Sequence, residues 1–197
     1  MNDRQSFIAE ARREQIIKAA IEVLEEIGYV SASLSKIAKK AKISTGLISY
    51  HFSGKEDLMN STLGYLIQNE FLFIRKRVEQ NSKAEERLAA YIDASLDYQL
   101  KHLSNNIALI EIVFHARTDE YVPYYLLEEE EGDPITILLK DILQMGQTNN
   151  DFAKFSVKTV VTIIRGAISE FMLSNDSKQS TEQYGEELKN MVFKMVK

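Results

Sequence analysis

Between Lys42 and Lys55 stands a run of groups built for hydrogen bonding: Ser44, Thr45, Ser49, Tyr50 and His51, with Gly46 among them. No Asp or Glu occurs from Ile27 to Ser53, whereas Lys36, Lys39, Lys40 and Lys42 all fall in that span. The chain as a whole has a net charge of −5. A local positive excess inside an acidic protein points to a local polyanion partner. Small hydroxyl-bearing side chains can approach a groove that a bulky apolar face would not enter.

Catalytic chemistry is poorly provided for. Glu56 follows Gly54-Lys55 where a nucleotide-binding loop needs Ser or Thr, and the preceding glycine, Gly46, is at the wrong distance. Neither Gly-x-Ser-x-Gly nor His-Glu-x-x-His occurs. His51, His102 and His115 are far apart and lack metal-ligand spacing, and the chain has no cysteine to supply a thiolate or a disulfide. No enzyme activity, metal or cofactor is expected. The lack of cysteine, of a signal-peptide core and of any long apolar run gives the expectation of a soluble cytoplasmic protein without membrane contact.

The elements that must carry these groups are helical throughout. Apolar residues recur at three-to-four spacing as Ile16/Ile17, Ala20/Ile21, Val23/Leu24 and Ile27, which predicts a helix from Glu10 to Ile27 stopped by Gly28. Short helices follow over Ser35–Ala41, with Ile37, Ala38 and Ala41 inward and Lys36, Lys39 and Lys40 outward, and over Thr45–Phe52. Ser53-Gly-Lys-Glu56 and Ser82-Lys-Ala-Glu85 read as capping boxes, opening helices to about Gln80 and His102. Further helices are predicted over Asn106–Arg117, Tyr121–Glu130 and, from the Asp133-Pro134 start signal, to about Met145. The acidic run Glu128–Glu131 reads as a solvated helix end, and Ser174–Gln179 as a polar loop. The last two predicted helices are Phe155–Leu173, apolar on more than one side, and one capped by Ser180 that reaches Val196. Residues 1–58 have a net charge of +1 and the remainder −6, an asymmetry that divides the chain into 1–58 and 59–197.

The second and third helices, joined by Lys42-Ile43-Ser44, have the pattern of a helix-turn-helix. Ala38 is small where the helices approach, Ile43 is apolar where the turn folds back, and Ser44 can cap the third helix. From Arg13 to Leu58 the chain resembles the DNA-binding domain of the TetR family of bacterial repressors. The resemblance rests on Ile17, Ala20, Gly28-Tyr29, Ser35, Ile37-Ala38, Ala41, Ile43-Ser44, Gly46, Tyr50-His51-Phe52, Lys55-Glu56 and Leu58. Ser49 departs from the tyrosine usual there. The variant looks more like that of the choline-responsive regulators of glycine betaine synthesis.

The resemblance implies an all-α protein: a three-helix DNA-binding domain plus a helical ligand-binding and dimerisation domain. It implies that Ser33 and Ser35 touch phosphate, that Thr45, Gly46 and Ser49 face bases, and that Tyr50, His51 and Lys55 reach the backbone of a double-stranded operator. Phe52 is expected in the core. A small-molecule effector would bind the C-terminal part, where Tyr98, Phe114 and Tyr124 supply aromatic surface and Glu111, His115 and Arg165 polar anchors. The helices Phe155–Leu173 and Ser180–Val196 would pair with those of a second copy in a two-fold four-helix bundle. The expected activity is ligand-released repression by a homodimer on a palindromic operator. The alternative is a ligand-independent, DNA-bound module that recruits another protein.

Overall fold

The computed structural model describes residues 3–118, 120–126, 132–173 and 180–197. In them the regular elements are nine α-helices and one 3₁₀ turn, which bears out the all-α expectation. In chain order these are α1 (Asp3–Ser31), α2 (Leu34–Ala41), α3 (Thr45–His51), α4 (Lys55–Val78), α5 (Ala84–Lys101), α6 (Leu103–His115), the 3₁₀ turn (Tyr124–Leu126), α7 (Pro134–Thr148), α8 (Val157–Leu173) and α9 (Thr181–Val196).

Side-chain caps start several of them. Ser33, Ser44 and Ser180 accept from Lys36, Leu47 and Gln183 amides, and Asp133 accepts from Ile135 and Thr136 with Pro134 at the first helical position. At the two proposed capping boxes the structure differs. Ser53 directs its amide and hydroxyl to Asp57, at 2.8 and 3.2 Å, not to Glu56. The box at Ser82 does not form, and α5 starts after Lys83 with no side-chain cap. Glu85, which was to complete that box, faces Lys197 at 3.0 Å.

Three boundaries also move. α1 begins at Asp3, well before Glu10, and runs past Gly28 with a kink there (φ 72°, ψ 169°). α6 starts at Leu103 and ends at His115. Of the helix expected over Tyr121–Glu130 only the 3₁₀ turn is present, and residues 127–131, with the acidic run, lie outside the described residues. The loop Ser174–Gln179 also lies outside them.

The chain divides into two compact units, Met1–Leu66 with Leu103–Glu128, and Ile67–His102 with Glu129–Lys197. The first has a core of Ile16, Ala20, Leu24, Ile37, Ile48, Phe52, Leu58 and Leu66, joined by Ala108 and Ile112 of α6. Phe52 is in this core, as expected, whereas Ile27, the last residue of the predicted stripe, is 41% exposed. The second unit is built on Leu88, Tyr91 and Ile92 of α5, Leu139 and Leu143 of α7, Val160 and Ile164 of α8, and Leu188 and Val192 of α9. α8 is buried on one side only within this unit. Val160, Val161, Ile164 and Ile168 are buried, while Thr159, Thr162, Ile163, Gly166 and Ser169 face out. Among the described residues no helix is long and apolar enough to cross a membrane.

Candidate nucleic-acid interface

α2 ends at a left-handed Lys42 (φ 56°), whose amide closes on Ala38 and Lys39 carbonyls, and the Ile43 amide donates to Ala38 at 3.0 Å. This turn folds the chain back so that α3 crosses α2, with Ala38 and Ile48 buried between them. Two side chains of α1 hold the far ends of both short helices. Arg13 donates to the His51 carbonyl at 2.6 Å and to Ser61 Oγ at 3.2 Å, and its guanidinium lies 4.3 Å from the Phe52 ring centre. Gln15 donates to the Ala41 carbonyl at 2.9 Å. Helices of seven and eight residues are marginal alone, so these ties and the shared core are what keep them formed.

The outward face carries Thr45, Gly46, Ser49 and Tyr50, all exposed, and Tyr50 is 80% exposed. A Cβ on Gly46 would meet only Ser44 Oγ, at 3.9 Å, so the glycine marks a low point on that face rather than a packing need. Tyr50 stands edge-on to His51 with ring centres 5.0 Å apart. Ser33 caps α2 and is 3.1 Å from Ser35 through their hydroxyls. Ser35, Lys39 and Lys42 are exposed as well, and Ser33 and His51 are partly so. Lys40 is drawn away into ion pairs with Glu22 and Glu26 of α1, at 3.2 and 2.5 Å, and Lys36 donates to the Ser31 carbonyl.

Lys55 is placed differently from the rest. Its ammonium donates to the Tyr29 carbonyl at 2.7 Å and lies 4.4 Å from that ring's centre, and burial lowers its pKa.

The six residues expected at a ligand site fall in both units. Glu111, Phe114, His115 and Tyr124 belong to the first, and Tyr98 and Arg165 to the second. The Glu111 carboxylate accepts from the Tyr29 amide at 2.8 Å, with His115 Nδ1 at 3.3 Å. Tyr124 donates to Asn60 at 2.6 Å, and Phe114 is exposed against Tyr125. Tyr98 is buried, its ring stacked on His102 and edge-on to Phe73. Arg165 pairs with Asp133 and donates to Thr136 Oγ1 at 2.6 Å.

Sequence reasoning missed two charged residues. Arg13 is one, and its only signal was a cation at the edge of the α1 apolar stripe. Glu70 is the other, a partly buried carboxylate of α4 that accepts from Gln99 at 3.3 Å. Burial pushes its pKa up to about 7, with Asp133 acting in the same direction and Arg165 against it.

Residues 16–62 match the family described as bacterial regulatory proteins, tetR family. Through these residues the chain is similar to transcriptional regulators of that family. One curated relative is the HTH-type transcriptional regulator BetI 1 of Chromohalobacter salexigens, 32% identical over 87 residues, or 44% of this chain and 43% of the relative. The match thus spans less than half the length of that relative. The fatty acid degradation regulator FadR from Bacillus halodurans has the same fold, with a TM-score of 0.75 at 23% identity over 92% of this chain and 94% of its own. So does AibR in complex with isovaleryl coenzyme A and operator DNA, with a TM-score of 0.71 at 18% identity over 92% of this chain and 98% of its own. BetI 1 and FadR are regulators by name.

Proposed function

We propose that the chain is a transcriptional repressor that binds a palindromic operator as a homodimer and is released by a small molecule. The observation that carries this reading is the acid-free outward face of α3, with Lys39 and Lys42 exposed in the same helix-turn-helix, in residues that match the tetR family. In functional terms residues 1–58 read DNA, and residues 59–197 hold the effector and the partner copy. Thr45, Gly46 and Ser49 face base edges in the major groove, where hydroxyls discriminate through hydrogen bonds. Ser33, Ser35, Tyr50 and His51 contact phosphates, which position the domain without choosing the sequence. Lys55 joins them only by leaving its seat on Tyr29.

An expected outcome follows from this division of labour. On a selected operator, Tyr50→Ala weakens binding about tenfold or more for every sequence tested, because a phosphate contact is lost. Ser49→Ala instead relaxes preference at one base pair per half-site. Both proteins keep the wild-type melting temperature, since neither side chain is in the core. Fluorescence anisotropy against single-base operator variants separates the two effects. Unchanged affinity for both would remove α3 from the interface.

The dimer is supported by the outward side of α8. Thr159, Thr162, Gly166 and Ser169 are small, Ile163 and Leu173 are exposed beside them, and α9 adds exposed Met191 and Met195. A Cβ at Gly166 would meet nothing within 4 Å inside the chain. Gly166→Leu should therefore leave the fold intact and abolish close helix pairing, so that sedimentation velocity finds a folded monomer. A folded dimer of unchanged affinity would place the interface elsewhere.

The effector site is assigned to the second unit, where Arg165, Tyr98 and the Glu70 carboxylate are the groups a ligand would answer to. AibR, of the same fold, holds isovaleryl coenzyme A and operator DNA. Release needs only a coupling of about 1–3 kcal/mol, which lowers operator affinity roughly 5- to 150-fold.

A further inference from the structure

Both backbone polar groups of Tyr29 are claimed by side chains from other helices. Gly28 leaves the helical conformation (φ 72°, ψ 169°) and so turns the Tyr29 amide away from the axis of α1. That amide donates to Glu111 Oε2 of α6 at 2.8 Å. The Tyr29 carbonyl accepts from Lys55, at the start of α4, at 2.7 Å, and the same ammonium covers the Tyr29 ring. The fit at Gly28 is close: a Cβ there would stand 3.1 Å from Glu111 Oε2, in a conformation that L side chains rarely adopt.

One further side chain lies against the carboxylate. His115, one turn on, sets Nδ1 3.3 Å from Glu111 Oε2 and stacks its ring parallel to Tyr29, centres 6.4 Å apart. Tyr124 adds a second tie to α4 through Asn60. All these residues belong to the first compact unit. A hydrogen bond from an amide to an ionised carboxylate is stronger than a neutral one, and here it is made between residues 82 apart in sequence. The segment it grips, Tyr29 to Ser33, leads directly into α2.

We infer that Glu111 is a positioning residue, whose grip on the Tyr29 amide holds the helix-turn-helix fixed on α6, so that the chain accepts only one half-site spacing in its operator. The inference rests on the reading of the chain as a dimer on a two-fold operator. A free head would turn to follow half-sites that are closer or farther apart, whereas a clasped head would not. Glu111 would then set specificity without touching DNA.

The test uses the full chain and an operator selected from a random duplex pool. Affinity is measured for that operator and for versions with the centre lengthened or shortened by about one and two base pairs, each shift turning one half-site about the axis. The wild type should lose about tenfold or more on every altered spacing. Glu111→Ala should bind all spacings within about threefold of one another. Glu111→Gln keeps an acceptor for the Tyr29 amide and should restore the wild-type preference. Glu111→Met keeps the volume without the acceptor and gives the same reading as alanine if the alanine protein does not fold. A Glu111→Ala or Glu111→Met protein that keeps the wild-type spacing preference would overturn the clasp and leave the dimeric repressor standing. A wild type that enriches no two-fold sequence, or ignores spacing, would overturn the dimeric reading and the clasp with it.

Discussion

Glu70→Gln is expected to stabilise the protein by about 3 kcal/mol at about pH 8 and to do almost nothing at the acid end, where the carboxyl is protonated in both states. The Glu70 carboxyl has a pKa of about 7 in the fold against an ordinary 4.5, chiefly because burial disfavours its charged form. Asp133 adds to the shift, and Arg165, already engaged with Asp133 and Thr136, only partly opposes it.

A raised carboxyl pKa means that between 4.5 and about 7 the folded chain binds more protons than the unfolded chain. Stability therefore falls as pH rises through that window and stays lower above it. Other groups titrate in the opposite sense. Asp97 lies between Arg77 and Lys101, and its pKa is lowered, so its contribution is present at neutral pH and lost on acidification. The difference between wild type and Glu70→Gln isolates the Glu70 contribution. Urea melts of both proteins across the window should diverge steadily, with the variant the more stable at high pH. A difference that stays constant with pH would show that Glu70 ionises freely in the fold.

The second large effect is steric. A Cβ on Gly146 would stand 2.0 Å from Cδ2 and 2.4 Å from Cε2 of Phe152, well inside contact distance. The ring has little room to yield. Phe152 is buried, and its amide donates to the Gly146 carbonyl at 3.0 Å, so the backbone that carries the ring is tied to the residue it would have to avoid. Alanine regains about 1 kcal/mol of helix propensity over glycine. Overpacking of this kind costs about 3 kcal/mol, at the upper end of its usual range, and prevails. Gly146→Ala should lower the melting temperature by several degrees. Combining it with Phe152→Leu should cost less than the two changes summed, because the smaller side chain makes room for the new methyl. Strict additivity, or an alanine variant as stable as wild type, would mean that the ring swings aside freely.

Both predictions concern residues whose roles could not be read along the chain, and the reason is the same in each. Glu70 looks like one more polar residue on a long amphipathic helix, and only the fold that brings Gln99, Arg165 and Asp133 to it makes it a partly buried acid with a raised pKa. Gly146 stands just past the helix end expected at about Met145, and only the return of Phe152 makes its missing side chain necessary. The helix-turn-helix was legible because its rules are local. Serine caps, a small residue at a crossing and an apolar turn residue all act within a few positions of one another. The charge pattern that singles out the α3 face is equally short-range.

Where the reading went astray, tertiary partners decided. Ser53 found a carboxylate one residue later than expected, and the Ser82 box was not needed once α5 was held by its buried face. Glu111 and His115, expected as polar anchors for a ligand, have in the fold a role that the sequence did not show: Glu111 accepts from the Tyr29 amide far upstream, and His115 lies against Glu111. The apolar length of α8 was read as burial on several sides. In the chain itself one side is covered, and the other alternates small residues with Ile163 and Leu173.

The most direct test of the central claim is selection of bound sequences by the purified chain from a random duplex pool at near-physiological salt, where sequence-independent phosphate binding is weakened. Enrichment of one palindrome with half-sites about one helical turn apart, roughly 34 Å, is the result expected of two α3 helices related by a two-fold axis. A folded, dimeric protein that enriches no sequence in the absence of any small molecule would contradict the claim that this face reads an operator.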